Sequence, residues 1–377
     1  MLRKLHILFL IFCCSFQVSA QEEQGTEKIS LLFIGDIMGH DEQIWSAENR
    51  ETHTYNYDDV FEYVKEEISE ADITFANFEV TLGGTPYTGY PQFSSPAELA
   101  VACRNAGIDF LFTANNHSAD RGRKGIIATI NRLDSLGIPH TGTFTGPAGR
   151  DSLYPALVEK NGFSIALLNY TYGTNGITVS PPAIVNMIDK AVISRDIEKA
   201  MGKKPDVVIA FLHWGTEYDT IPSLIQTDLA RFMLDQGVDL VIGSHPHVLQ
   251  KMVWIRNSPD RKDGVVVYSL GNFVSNQRRP KTDGGTMVRI ELEKRAGSTI
   301  VSNAGFYLTW VFTPIEEYRK KFFILPCAKF ENNQEFFNKP ADYLKMKSFI
   351  GNSRKLLDNQ NVNVHEFIYS GNAWKFE

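Results

Sequence analysis

The stretch Val207-Val208-Ile209-Ala210-Phe211-Leu212-His213-Trp214-Gly215 sets the pattern from which the rest of the chain is read. An apolar, strand-like run ends at a histidine, where packing gives an imidazole no reason to stand. The same grammar recurs along the chain. Leu31 to Ile34 stops at Gly35-Asp36, Asp72 to Phe75 leads to Asn77-Phe78-Glu79, and Phe110 to Thr113 leads to Asn115-Asn116-His117. Further on, Val238 to Ile242 precedes His245-Pro246-His247, and Val265 to Tyr268 precedes Leu270-Gly271-Asn272-Phe273. In an open α/β sheet, ligands and chemistry collect beyond the carboxyl ends of the strands. One polar cluster there means little, but a series of acids, carboxamides and histidines points to a metal-binding active site.

Between the runs lie helical periods, so the fold class is α/β. Val60, Phe61, Val64 and Ile68 form one stripe over Asp58 to Ser69, and Ile126, Ile127, Ile130 and Leu133 another over Gly125 to Leu136. Ser95-Pro96-Ala97-Glu98 reads as a capping box with proline in the first turn. Further helices are expected from Ile188 to Met201 and from Pro222 to Asp235. Gly107, Gly137 and Gly237 each stand between a helical stretch and a β-branched residue, as a left-handed helix terminator does. Beyond Gly284, Met287 to Leu292 and Thr299 to Phe312 read as strands without polar punctuation. The tail from Thr313 is rich in Phe, Lys and Asn and reads as a helical appendage on the core.

Composition narrows the class. A chain of 377 residues with 43% hydrophobic and 22% charged residues is ordinary for a globular protein and can hold one large catalytic domain, or one domain plus a small addition. Its formal net charge of -6 and the lack of a basic, aromatic-rich block argue against nucleic acid as a partner. Arg3 and Lys4, the apolar stretch Leu5 to Phe16 and Val18-Ser19-Ala20 form a secretory leader with cleavage expected before Gln21. Cys13 offers lipidation as an alternative, opposed by the bulk of Phe12 before it. No later segment is long and apolar enough to span a bilayer, so the mature chain is expected to be periplasmic or extracellular. The organisation is then a signal peptide (1–20), a flexible lead (21–28), the catalytic domain (29–312) and the appendage (313–377). Cys103 and Cys327 remain after cleavage, and neither has the spacing of a thiolate zinc site.

Each polar cluster has a chemical reading beside a plainer one. Asp36 can ligate a cation or cap the following turn. Asn77 and Glu79, two residues apart in extended geometry, point to one side, which suits a carboxylate bridging two cations with Asn77 in support. Asn116 is a neutral ligand that leaves a cation's Lewis acidity intact, and His117 can protonate a leaving oxygen or stabilise an oxyanion; the same residues also make a turn. Pro246 is expected to hold its segment extended so that His245 and His247 face one side. Glu217 and Asn272 read as groups that orient ligands, and Trp214 as wall. Arg121, Arg123 and Lys124 either attract an anionic substrate or form a solvated helix start. The loop Thr85 to Phe93, with Tyr87, Tyr90 and Phe93, either lines a cleft or packs on the surface.

Taken in order, Gly-Asp, Asn-x-Glu, Asn-His, His-Trp-Gly, His-Pro-His and Ser-Leu-Gly-Asn-Phe resemble the CapA (poly-γ-glutamate capsule synthesis) family, within the calcineurin-like metallophosphoesterase superfamily. The match covers Ile29 to Val274. The resemblance implies a four-layer α/β/β/α sandwich of two mixed β-sheets flanked by helices, with a two-metal centre at one edge. It assigns Asp36, Glu79, Asn116, His213, His245 and His247 as ligands of one or two divalent cations (zinc, manganese or iron) and His117 as the catalytic residue. Metallophosphoesterases generally carry a histidine two residues after the first aspartate, where this chain has Met38; His40 lies two residues further on. A histidine restored at 38 is expected to strengthen binding if that position still faces the metal. The implied activity is metal-assisted hydrolysis of a phosphoester or of an amide-like bond in an anionic polymer. The competing role is a non-catalytic, polymer-binding accessory of the capsule synthesis machinery. His117 separates the two, because binding alone needs no proton donor.

Overall fold

The computed structural model describes residues 27–256, 263–295 and 297–376. The expected signal peptide, Cys13 and most of the lead 21–28 lie outside the described residues, and Lys28 already opens the first strand. That strand, Lys28–Ile37, is hydrogen-bonded within a ten-stranded sheet. From one edge the order runs Ala373–Phe376, His365–Ser370, Ser298–Phe312, Gly284–Arg295, Lys28–Ile37, Ile73–Phe78, Phe110–Phe112 and His140–Thr141. Asn272–Val274 pairs in parallel with Lys28–Ile37, and Phe323–Pro326 lies antiparallel to Ser298–Phe312. A second, six-stranded sheet runs Met252–Ile255, Gly264–Val267, Leu240–Ser244, Val207–His213, Phe163–Thr171 and Ala156–Lys160. Both sheets are mixed: the first is parallel from Lys28–Ile37 to its edge at His140–Thr141, and the second has a parallel centre between antiparallel edge strands.

The unbroken apolar runs have a physical cause: their strands are covered on both faces. Leu31, Phe33, Phe75 and Phe112 point between the sheets and meet Ile209, Phe211, Leu240 and Val267 of the second sheet. Phe112 stacks on Phe211 across that layer with ring centroids 4.5 Å apart. The alternate residues, Leu32, Ile34 and Leu111, face outward to Leu99, Ala102, Cys103 and Ala106 of helix Glu98–Ala106. On the opposite side, Val208, Ala210 and Leu212 meet Ile193 and Ile197 of helix Lys190–Gly202 and Leu229 and Met233 of helix Leu224–Asp235. The result is the expected four-layer sandwich. Each large apolar side chain buried in it contributes about 1.5–3 kcal/mol relative to exposure.

Helix ends follow the glycine grammar: Gly107, Gly137 and Gly237 all have positive φ (101°, 64° and 104°). Other local expectations give way to packing. Helix Glu98–Ala106 has Ala97 at its N-cap, so Ser95 caps nothing and its buried hydroxyl has no hydrogen-bond partner. The stripe over Asp58 to Ser69 splits into a 3-10 turn, Asp58–Phe61, and a short helix, Lys65–Ser69, while Val60, Phe61, Val64 and Ile68 all stay buried. The strand Phe163–Thr171 is not among the runs that the sequence marks, yet it pairs in parallel with Val207–His213.

The tail is more than helical. Helix Pro340–Gln360 buries Met346, Phe349, Ile350 and Leu357 in the layer between the sheets, and the tail also adds two strands, Phe323–Pro326 and His365–Ser370, along the edge of Ser298–Phe312 that Gly284–Arg295 leaves free. Cys103 and Cys327 are both buried free thiols. No helix of the described residues is long and apolar enough to cross a membrane.

Candidate metal centre

Register brings the polar clusters together. Asp36 pairs with Asn77 on one neighbouring strand and with Asn272 on the other. The chain crowds closely here: a Cβ on Gly35 would collide with the Gly271 carbonyl, to which the Asp36 amide donates at 3.1 Å. In the facing sheet, His213 ends its strand opposite Ser244. Glu79 and His245 follow directly on strand ends, Asn116 and His247 lie a few residues further on, and all are buried.

Two groups of candidate ligands result, Asp36/Glu79/His213 and Glu79/His245/His247, with the donor atoms of each within 4.8 Å of one another. Glu79 belongs to both, as a bridging carboxylate must. Its Oε1 lies 3.5 Å from His213 Nε2 and 3.8 Å from His247 Nε2, and has no hydrogen-bond partner although fully buried. His245 Nδ1 and Asn77 Oδ1 are likewise buried without partners. Unsatisfied buried acceptors are costly. Carboxylate, imidazole and carboxamide donors left this way suit a divalent cation of the zinc, manganese or iron class.

The surrounding groups aim these donors. Asn77 Nδ2 donates to Asp36 Oδ1 at 2.7 Å and to Glu79 Oε2 at 3.3 Å, joining the two carboxylates. His247 Nδ1 sits 3.0 Å from both Asp36 Oδ2 and Asn272 Oδ1, which leaves Nε2 towards Glu79. Asn272 is itself held by its Nδ2 donating to the Thr282 carbonyl at 2.8 Å. His213 Nδ1 contacts Ser244 Oγ at 3.0 Å, and its Nε2 meets Asn116 Oδ1 at 2.9 Å.

Electrostatics follow from burial. Desolvation first, then the Asp36 charge, raise the Glu79 pKa well above the carboxyl range. Desolvation, with His245 and His247 nearby, pushes His213 well below the usual imidazole value. Burial likewise lowers His245 to about 3. Such imidazoles are neutral at neutral pH, which is the form that binds metal.

His245 and His247 converge by a different route from the one the sequence suggested. The segment around Pro246 is not extended: His245 and His247 have φ of 99° and 57°. Left-handed backbone at non-glycine residues costs about 1–3 kcal/mol and persists where surrounding structure imposes it. Met38 belongs to the apolar cluster with Ile37, Val80, Phe93 and Val274, so it does not replace the missing histidine. His40 Nδ1 is engaged by the Asn276 amide at 3.2 Å and by Gln43 at 3.1 Å.

His117 stands beside the two groups rather than in them. Its Nδ1 is 2.7 Å from Asp120 Oδ2, which also accepts from the Phe93 amide at 2.7 Å, and the Phe93 ring packs edge-on at 4.6 Å. Asp120 therefore fixes the ring's orientation and tautomer and leaves Nε2 for substrate. Asp120 is not among the residues that the sequence singles out, although its i+3 spacing from His117 is legible there. Arg121 is not brought into the cluster. Its Nη2 donates to the Pro86 carbonyl and to Thr88 Oγ1, latching the loop 85–93 that carries Phe93. Glu217 is exposed on the loop following His213. The exposed Tyr172 and Tyr218 flank the site, with ring centroids 4.5 Å from His245 and 6.4 Å from His247.

Comparison with known proteins identifies the family and the fold. Residues 30–277 match the bacterial capsule synthesis protein family PGA_cap. The capsule biosynthesis protein CapA of Bacillus anthracis is 31% identical over 289 residues, 73% of this chain and 66% of that protein. The PGA biosynthesis protein CapA of Bacillus subtilis (strain 168) is 29% identical over 285 residues, 71% of this chain and 68% of its own length. The chain thus spans about two thirds of these relatives. Among solved structures, NAD nucleotidase (NadN) of Haemophilus influenzae has a TM-score of 0.50 at 12% identity, covering 89% of this chain and 68% of that one. At that identity the likeness is one of fold.

Proposed function

The chain belongs to the bacterial capsule synthesis protein family, and from that membership and the geometry of its buried site we propose that it is a metal-dependent hydrolase serving capsule or other cell-envelope polymer synthesis. The observation that carries this reading is Glu79, a buried carboxylate shared by two ligand groups with one oxygen left without a hydrogen bond. Asp36, Glu79, Asn116, His213, His245 and His247 would hold the cations. Bound divalent cations supply Lewis acidity and a water of lowered pKa at such a centre. Asn77 keeps the two carboxylates in register, and Ser244 and Asn272 hold the ring nitrogens of His213 and His247 that face away from Glu79. His117, oriented by Asp120, delivers a proton through Nε2 to the leaving group (the alkoxide oxygen of a phosphoester or the amine nitrogen of an amide) or stabilises the charge that develops at the reacting centre. The substrate is a phosphoester or an amide-like bond within an anionic polymer such as a γ-glutamyl chain. The enzyme acts after export, in the periplasm or outside the cell, alongside the capsule synthesis machinery.

Metal analysis of the purified chain, followed by a screen of phosphoesters and γ-glutamyl polymers, tests this reading. One or two equivalents of divalent cation are expected, most of them lost in the double variant His245→Ala/His247→Ala. An unchanged metal content in that variant, with folding intact, removes the site assignment. Metal binding without hydrolysis of any substrate moves the assignment to the polymer-binding accessory role. For location, N-terminal sequencing should find Gln21 first, whereas a lipid-modified Cys13 would place the protein on a membrane surface.

A further inference from the structure

Asn116 is the one candidate ligand whose two terminal atoms are chemically opposite: Oδ1 can hold a cation, and Nδ2, a donor, cannot. A half-turn of the carboxamide would abolish its role without moving any other atom. In the structure Oδ1 lies 2.9 Å from His213 Nε2 and faces the ligand cluster, while Nδ2 donates to Asn175 Oδ1 at 3.2 Å. The Tyr172 ring lies 4.5 Å from that of His245.

Asn175 and Tyr172 sit on a strap that leaves the end of strand Phe163–Thr171. The strap holds its own shape. The Tyr172 amide donates to the His213 carbonyl at 2.9 Å, the Ile177 amide donates to the Thr174 carbonyl at 2.8 Å, and Thr174 Oγ1 donates to the Ile177 carbonyl at 2.7 Å. Its turn is left-handed at Asn175 (φ 50°) and Gly176 (φ 75°). Glycine would satisfy that backbone at either position. Asparagine tolerates it as well and adds a side-chain acceptor, which here reaches Asn116.

We propose that Asn175 is a positioning residue that fixes the flip of Asn116, so that the carboxamide oxygen and not the nitrogen is presented beside His213 and Glu79. The inference rests on the metal-centre reading above and assigns the strap 172–176 a part in it. Removing a partner that orients a ligand typically weakens metal affinity about 10- to 100-fold.

The test uses the full chain, stripped with chelator and titrated with zinc or manganese alone. Asn175→Gly keeps the left-handed backbone and removes the acceptor. It should weaken cation binding by about tenfold or more, alter the visible spectrum of the cobalt-substituted protein, and leave the thermal midpoint of the metal-free form unchanged. Asn175→Asp keeps an oxygen acceptor and should bind within about threefold of wild type, or more tightly. If Asn175→Gly binds as well as wild type, or if Asn175→Asp weakens binding as much as Asn175→Gly does, the positioning role is wrong while the metal centre stands. A wild-type chain that takes up no cation overturns the metal centre itself, and this inference with it.

Discussion

Replacing Glu79 with glutamine should stabilise the metal-free protein and destabilise the metal-loaded one, a reversal that few other substitutions would produce. Glu79 is fully buried, its donor atom lies within 4.8 Å of that of Asp36, and Oε1 has no partner. Two carboxylates at that separation repel by about 3.5 kcal/mol or more at an effective dielectric of about 20. Protonation relieves part of this, since burial and the Asp36 charge raise the Glu79 pKa well above 4.5. The folded, metal-free protein therefore holds a proton that the unfolded chain releases. Its stability rises as pH falls through the Glu79 pKa towards 4.5 and is lowest above that pKa. At pH 7.5 to 8, then, Glu79→Gln should gain about 1–3 kcal/mol in chelator, because it removes a buried charge and keeps the shape. Added cation should stabilise wild type by about 2.7 kcal/mol at a hundredfold excess over its dissociation constant, and the variant far less. Thermal unfolding with chelator and with zinc or manganese reads both effects. A variant less stable than wild type in chelator, yet raised equally by metal, would refute the bridging role.

His117→Ala should lower turnover of any hydrolysed substrate by about a hundredfold or more at unchanged metal content; Asp120→Asn should lower it less and shift the pH–rate profile. Hydrolysis untouched by His117→Ala would leave the accessory role in its place. Met38→His should bind metal no more tightly than wild type, the opposite of what the sequence alone suggests, and should cost about 1–3 kcal/mol in chemical denaturation, because it buries a polar ring in an apolar cluster. Tighter binding would show that position 38 reaches the cations. In chelator, stability should fall as pH drops below about 6.5, by up to ~1.4 kcal/mol per pH unit for each histidine kept neutral. Burial lowers His40 to about 4, His245 to about 3 and His213 well below 6.5, so the unfolded chain protonates first, and together they outweigh the opposite trend of Glu79. Equal stability at pH 5.5 and 7.5 would contradict this.

The six apolar runs that end in polar clusters were legible because strands covered on both faces must be apolar throughout, and the chemistry then collects where they stop. Local pattern carried this far and also located the glycine helix ends. It failed where a distant partner decides. Strand Phe163–Thr171, with Ser164 and Asn169 in its run, reads as a strand only once Val207–His213 pairs beside it. The tail strands exist because Ser298–Phe312 offers them the edge that Gly284–Arg295 leaves free.

Within the site, the sequence by itself determined which residue types stand at the strand ends. Tertiary structure alone decided which of them share a cation. Asp36 and His247 are 211 positions apart yet lie 3.0 Å from each other. Left-handed backbone at His245 and His247 aims two rings that an extended Pro246 segment would have aimed otherwise. Met38 was drawn into the core beside Val80 and Phe93, and Arg121 into the latch on Pro86 and Thr88. The physical reason is common to all of these. Periodicity reports the environment of a residue's own strand or helix, whereas a metal centre is fixed by register between strands and by contacts across two sheets, which no stretch of local sequence encodes.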